Sequence, residues 1–207
     1  ISVKNKSSMQ ADFVNNKATI YERFAPEEGL KVKINAVKNS KGESIDVSRI
    51  NLAKGLKIKL SYSNLRENDF SVDGNIITIK KSFLDKISAP VYGSSHNLEI
   101  HFTDTDNKVL NAKETLKVEF LNNSTVTVTP LSTLTYTQKK APQAGIVFEI
   151  TRVKNSKGVE LKKNEIDLER CVDIEPFPVD WKDDTLERLN DGTFRFNRKY
   201  LDINKSN

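Results

Sequence analysis

The sequence is poor in the residue types on which disulfide frameworks and catalytic sites depend. Its 207 residues include one cysteine, two histidines and one tryptophan. A single cysteine, Cys171, excludes an intrachain disulfide, and we expect it to be a buried or half-buried thiol. Secreted eukaryotic domains of this size usually carry disulfides, so the composition suits a bacterial surface protein better.

Recognisable catalytic motifs are also missing. His96 and His101 lie five residues apart in or beside one predicted strand, and an odd separation places their side chains on opposite faces. The chain contains no G-x-S-x-G, P-loop or H-E-x-x-H motif. We therefore expect a protein that is not an enzyme and has no cofactor and no metal centre.

No apolar run approaches the ~18 residues that span a membrane, and no signal peptide is recognisable. The chain starts at Ile1 rather than at methionine. We interpret it as a processed protein or an excised fragment whose secretory signal has been removed. The expected location is extracellular or at the cell surface.

The charge balance is mildly basic, with 33 basic and 28 acidic residues and a formal net charge of +5. Lysines are scattered along whole strands, whereas nucleic-acid binders concentrate them in a patch or a recognition helix. We predict no nucleic-acid partner. The lysines are interpreted as solvated strand faces and edge protection, with a patch for an anionic partner as the alternative.

Period-two alternation dominates the chain and predicts β-strands separated by short turns. The segment "LKIKLSY" is typical, and the pattern predicts inward side chains at Leu56, Ile58, Leu60 and Tyr62. One stretch departs from this period: 80–88 has helical spacing after a basic strand end, and we predict a helical turn there.

The hexapeptide "VKNSKG" occurs twice, and its two copies anchor a duplication. The second copy begins at residue 153, 116 residues after the first at residue 37. Segment 25–42 aligns with 141–158 without a gap, and Asp73-Gly74 further on aligns with Asp191-Gly192. A period of this length is the size of one immunoglobulin-like sandwich.

The predicted fold is all-β, with two tandem immunoglobulin-like β-sandwiches at 1–121 and 122–207. Nothing after Asp202 matches the predicted hairpin of 96–120, so the second copy is expected to lack its last two strands. Truncation or disorder is one interpretation. The other is that a neighbouring chain or segment supplies the strands, because exposed sheet edges promote association.

One block of the first copy resembles a known family. Segment 67–87, followed by "HNLEIHF" and "ETLKVEF", is similar to the immunoglobulin-like linker (hydrophilic) modules of clostridial cellulases and scaffoldins. The matching features are Asp69-Phe70, Gly74, the strand at 76–79 with its basic end, and Phe83-Leu84. The resemblance implies an extracellular bacterial spacer, or a weak polysaccharide or cell-wall binder, without catalytic activity; S-layer and adhesin modules are similar in style.

Two aromatic residues and one turn are candidate ligand sites. Trp181, in "EPFPVDWKDD", and Tyr92, in "APVYGSSH", are candidate platforms for a sugar ring, and packing in the core or between domains is the alternative for the tryptophan. Asp104 and Asp106 lie in "DTDN", which offers oxygen ligands for calcium but lacks an EF-hand's glycine and distant glutamate. We interpret this segment as an Asx-rich turn.

The sequence therefore predicts a non-catalytic spacer, adhesion or assembly module of a bacterial surface or secreted protein. The alternative is a carbohydrate- or cell-wall-binding module that uses an exposed aromatic side chain. Expected partners are other chains or domains of the same surface assembly, bound by strand addition at the open edge of copy two, and polysaccharide.

Overall fold

The structure, a computed structural model, describes residues 4–16, 18–88, 94–132, 134–135, 137, 140–166, 186–190, 192–198 and 201. The chain forms two compact units, 1–122 and 123–207. Strands dominate the described parts of both units, which confirms the predicted all-β class.

The described residues of the first unit form ten strands and two short α-helices, besides three single-turn 3₁₀ segments. Its strands are β1 (Ser8–Phe13), β2 (Thr19–Tyr21), β3 (Leu30–Lys38), β4 (Ser44–Ile45), β5 (Leu56–Leu60), β6 (Ser63–Asn64), β7 (Phe70–Asp73), β8 (Ile76–Ile79), β9 (Ser94–Asp104) and β10 (Val109–Leu121). Its helices are α1 (Leu52–Gly55) and α2 (Lys81–Ser88). The second helix confirms the helical turn predicted from spacing.

These strands form two sheets. Sheet 1 has the order β1-β3-β8-β7, with β4 paired to β3, and sheet 2 has the order β2-β10-β9-β5-β6. All pairs are antiparallel except β2 with β10. Apolar side chains of both sheets form one core, because the alternating pattern turns every second residue of each strand inward.

Helix α2 is fixed to the segment that precedes β3. Leu84 is fully buried, while the carboxylate of Asp85 accepts a hydrogen bond of 2.8 Å from the Ala25 amide. The Ser88 hydroxyl accepts another, of 3.0 Å, from the Arg23 amide. The helix is therefore tied to the core by an apolar contact and to a distant turn by polar ones.

The prediction that Tyr62 points inward is wrong. Strand β5 ends at Leu60, and Ser61 has a φ of 57°, which turns the chain into a tight hairpin with β6. The inward alternation stops where the strand stops. Tyr62 therefore lies at the hairpin tip, with 94% of its surface exposed.

The second unit repeats sheet 1 strand for strand. Its strands are β11 (Thr125–Pro130), β12 (Ile146–Lys154), β13 (Glu160–Leu161), β14 (Leu186–Asn190) and β15 (Thr193–Phe196). Sheet 3 has the order β11-β12-β15-β14, with β13 paired to β12. Each strand has the same neighbours as its counterpart in sheet 1.

The correspondence between sheets 1 and 3 extends to their irregularities. The register of β1 against β3 shifts after Gln10, and that of β11 against β12 shifts after Thr127. In both sheets this is the step after the third paired residue of the edge strand. Such bulges are specific backbone features, so the shared shift supports a common origin of the two sheets.

The two "VKNSKG" segments form the same hairpin turn. The Asn39 amide donates to the carbonyl oxygen of Glu43 at 2.9 Å, and the Gly42 amide donates to that of Asn39 at 2.9 Å. Asn155 and Gly158 make the equivalent bonds in the second unit. The glycines have φ values of 88° and 78°, the left-handed region in which glycine carries no steric penalty.

Candidate functional site

The two aromatic residues proposed as sugar platforms, Trp181 and Tyr92, lie outside the described residues, as does Cys171. The carbohydrate-binding role of Trp181 and Tyr92 therefore stays a prediction. The remaining candidates from the sequence, the histidines and the "DTDN" turn, lie on described strands and turns of the first unit.

The two histidines point to opposite faces of β9. The ring of His96 faces Phe120, with 5.6 Å between ring centroids, and its Nδ1 lies 2.9 Å from the Ser61 hydroxyl. His101 lies on the outer face, with Nε2 3.5 Å from the Glu99 carboxylate. Within the described part of the chain, no three histidine, cysteine or acidic side chains are grouped as a metal site would require.

The "DTDN" segment is an Asx-type turn between β9 and β10. The Asp104 carboxylate accepts hydrogen bonds from the Asp106 amide at 2.9 Å and from the Asn107 amide at 3.2 Å, and its second oxygen accepts one from the Asn107 side chain at 2.6 Å. These bonds make the Asp104 carboxylate the acceptor that organises the turn. The turn interpretation therefore accounts for the acidic residues.

A shallow cleft of about 600 Å³ lies beside β4. Its polar groups stabilise the local fold: the Asp46 carboxylate accepts from the amide and hydroxyl of Ser48, and the Asn75 side chain donates to the carbonyl oxygen of Ile34. Hydrogen bonding by Ser48 lowers the pKa of Asp46 below its ordinary value. The cleft carries no convergent set of reactive groups.

A large apolar surface in the second unit has a buried counterpart in the first. We call it the second-unit apolar face, and it consists of Val126, Val128, Phe148, Ile150 and Phe194. The face has a small buried centre, formed by its two phenylalanines and its isoleucine, and an exposed margin on β11.

The margin residues match buried positions of sheet 1. Val126 pairs with Val153 as Met9 pairs with Val37, and Val128 occupies the place of Ala11. Met9 and Ala11 are 3% and 5% exposed, whereas Val126 and Val128 are 57% and 48% exposed. In the first unit β10 of sheet 2 packs beside β1 and covers these positions.

The outer face of sheet 2 brings lysines from separate strands into register. Lys57 of β5 lies opposite His101 of β9, which in turn lies opposite Lys113 of β10. With strands ~4.8 Å apart, this row spans about 10 Å. We call it the basic row.

Two further rows continue toward the β5–β6 hairpin. The next consists of Lys59, Glu99 and Thr115, and the one after it pairs Asn97 with Lys117. Across the three rows, four ammonium groups accompany one carboxylate. These three rows form the sheet-2 outer face.

The carboxylate at the centre of this face is held in its ionised form. Lys113 Nζ lies 3.2 Å from the carboxylate of Glu99, and His101 contacts the same oxygen. The hydrogen bond from Lys113, followed by that from His101, lowers the pKa of Glu99 below its ordinary value. Glu99 therefore remains a hydrogen-bond acceptor at neutral pH.

The hairpin that carries Tyr62 is fixed at both sides of its tip. The Ser61 amide donates to the carbonyl oxygen of Asn97 at 3.0 Å, and its hydroxyl contacts His96. The Leu65 amide donates to the carbonyl oxygen of Ile58 at 2.9 Å. A non-glycine residue at positive φ costs free energy, so the contacts of Ser61 compensate for strain at the tip.

Neither the sheet-2 outer face nor the second-unit apolar face was singled out from the sequence. The lysines of "LKIKL" and "AKETLKVEF" were visible, but their register across three strands was not. The exposure of Tyr62 had a local signal in the "SYSN" turn composition, which the alternating pattern obscured.

No model of a known protein family matches the sequence, and a search of curated proteins returns no significant match. Within the described residues, no helix has the length and apolar character needed to cross a membrane.

Proposed function

We propose that the chain is a tandem pair of immunoglobulin-like modules with a non-catalytic, structural role in a bacterial cell-surface or secreted protein. Partner strands from another chain or domain of the same assembly pack on the second-unit apolar face. The repeated sheet supports the tandem arrangement, and the resemblance to linker modules of cellulases and scaffoldins supports the extracellular setting.

One observation carries the proposal: Val126 and Val128 are about half exposed at positions where Met9 and Ala11 are buried. The two exposed valines border the small core that contains Phe148 and Ile150, so apolar atoms that the first unit buries remain in contact with solvent here. Exposed apolar patches on folded proteins mark interaction sites. The first unit shows the kind of structure that covers the same surface, a second sheet whose apolar residues face sheet 1.

The position of β11 favours strand-mediated contact. It is an edge strand of sheet 3, and both of its faces are exposed along its whole length. An edge strand with free backbone groups pairs readily with a strand of another chain. The proposed partner therefore adds backbone pairing at the edge and apolar contact on the face.

The experiment is analytical ultracentrifugation of the full chain over a concentration series, because an apolar face without its partner associates with a second copy. We expect concentration-dependent association that is weakened in the double variant Val126→Thr/Val128→Thr. Val159→Thr is the matched control, since Val159 is 56% exposed in the hairpin turn and lies off the face. A chain that stays monomeric, or an equal effect of the control, would overturn the proposal.

A further inference from the structure

We infer that the sheet-2 outer face, together with Tyr62 at the adjoining hairpin tip, is a binding site for a linear acidic polysaccharide. The site lies in the first unit and is independent of the assembly role proposed for the second. Its parts are the basic row, the central carboxylate of Glu99, the amide of Asn97 and the aromatic ring of Tyr62.

The basic row supplies the charge for an anionic ligand. Lys57 and Lys113 are exposed and come from strands on either side of β9, so the sheet sets the spacing of their backbone positions. Sheet 1 lacks such a row: its outer lysines Lys31 and Lys33 lie on one strand, β3, and Lys33 is flanked by Asp12 and Ile76. The excess of positive charge is therefore a property of this face.

The hairpin tip supplies the apolar contact. Tyr62 exposes 94% of its surface although an exposed aromatic ring contributes no burial to folding. The turn that presents it is strained at Ser61 and anchored to β9. An exposed ring on an anchored turn offers stacking to a flat, partly apolar ligand surface, and a tyrosine side chain has few rotamers to lose on binding.

The distance between these parts fits an extended polymer. Lys57 lies three residues before Leu60, the end of β5, which corresponds to about 10 Å, and Tyr62 lies beyond that end in the turn. Asn97 and Glu99 lie on β9 between the two ends. A ligand that contacts the ring and the basic row together therefore spans all three rows of the face.

The middle row of the face, which consists of Lys59, Glu99 and Thr115, favours hydroxyl groups over closely spaced phosphates. The ionised carboxylate of Glu99 accepts hydrogen bonds from hydroxyls and repels any anionic group placed against it, so the ligand's hydroxyls belong at the middle row and its anionic groups at the basic row. Single-stranded nucleic acid stacks successive bases on several aromatic side chains, whereas the described part of this site offers one phenolic ring, Tyr62 at the hairpin tip, and the His101 imidazole contacts Glu99. A polymer of sugar rings with a carboxylate at intervals matches this pattern.

The test is affinity electrophoresis of the full chain with polygalacturonate, a linear uronic acid polymer, as the probe. Hydroxyethylcellulose serves as the neutral polymer, and polyglutamate and single-stranded oligodeoxynucleotides serve as anions without a polysaccharide backbone. We expect retardation by polygalacturonate alone, which decreases as salt is raised because exposed charges are screened.

Four variants separate the contributions. Lys57→Gln/Lys113→Gln removes two charges, and Lys31→Gln/Lys33→Gln on sheet 1 is its control with the same change in net charge. Tyr62→Ala removes the ring, and Tyr62→Phe keeps it. We expect the first double variant and Tyr62→Ala each to weaken binding roughly tenfold, the scale reported for loss of one stacking ring, and the other two to bind as the parent.

The proposal is overturned if polygalacturonate does not retard the chain, or if both lysine double variants weaken binding equally. If polyglutamate binds as well as polygalacturonate and Tyr62→Ala does not change its binding, the attraction is by charge alone. If oligodeoxynucleotides bind more tightly than polygalacturonate and lose this binding in Tyr62→Ala, the face is assigned to nucleic acid. Lys33, Lys57, Lys113 and Tyr62 are exposed and Lys31 is half-buried. Circular dichroism identifies any variant that does not fold, and the single variants Lys57→Gln and Lys113→Gln then replace the double one.

Discussion

Gly29 and Gly145 occupy the same position in the two units, and each lies directly against the backbone of a neighbouring strand. A Cβ atom on Gly29 would lie 2.2 Å from the carbonyl oxygen of Ile79, and one on Gly145 would lie 2.1 Å from that of Phe196. Their φ values are 76° and 72°. Both positions thus require glycine for two independent reasons: a Cβ atom would collide with the neighbouring strand, and other residues are disfavoured at positive φ.

Gly29→Ala and Gly145→Ala should both destabilise their units. The added methyl group meets a backbone carbonyl that cannot move without disturbing the sheet, so we expect a loss of more than about 2 kcal/mol in the free energy of unfolding. Gly74→Ala is the control, because its φ is 55° but no atom lies within 4 Å of the added Cβ. It should cost about 1 kcal/mol. Urea unfolding followed by circular dichroism measures all three, and equal losses for Gly29→Ala and Gly74→Ala would contradict the close approach.

Asn39 should stabilise the "VKNSKG" turn through its side chain. Its Oδ1 accepts hydrogen bonds of 3.0 Å from the amides of Lys41 and Glu43, and the residue is buried. Asn39→Ala leaves both amides without this acceptor, so we expect a loss of about 1–3 kcal/mol. Lys41→Ala in the same turn should change stability by less than about 0.5 kcal/mol. Thermal unfolding compares the two, and a smaller effect of Asn39→Ala would show that the backbone bonds suffice.

Alternation in the sequence predicted the strand faces well where strands are long. Ile58 and Leu60 were expected inside and are buried, because β5 keeps one register against β9 over its whole length. The prediction for Tyr62 failed because alternation does not show where a strand ends. The positive φ of Ser61 is not marked in the sequence as clearly as a glycine would mark it.

The surfaces that support the proposals depend on information that a single strand does not carry. The basic row exists because β5, β9 and β10 align Lys57, His101 and Lys113, and register between distant strands is set by packing of the opposite face. The exposure of Val126 depends on what covers the sheet. Its apolar character is the same as that of Met9, so the sequence pattern does not distinguish the two positions.

Met9→Thr and Val126→Thr should differ in cost although they change equivalent positions. Met9 is packed in the core of the first unit, so a hydroxyl there loses apolar burial and we expect about 2 kcal/mol of destabilisation. Val126 is largely solvated, and its replacement should cost less than about 0.5 kcal/mol. Urea unfolding of the two variants tests this. A large cost at Val126 would mean that the chain itself covers the apolar face, against the proposed partner.

Lys113→Gln should raise the pKa of Glu99 toward its ordinary value of 4.5. In the parent the pKa is lowered, first by the hydrogen bond from Lys113 and then by that from His101, so removal of the ammonium group removes the larger cause. A carboxyl group with a lowered pKa in the folded state contributes stability above its unfolded pKa, and this is lost as the pH falls through the folded pKa. The variant should therefore show a weaker dependence of stability on pH below about 4.5.

An NMR titration of the Glu99 side-chain carboxyl carbon measures the shift in pKa directly, with Lys33→Gln on the opposite sheet as the control. An unchanged pKa in Lys113→Gln would mean that the two groups do not interact in solution, and the middle row would then lack the fixed acceptor on which the polysaccharide site depends.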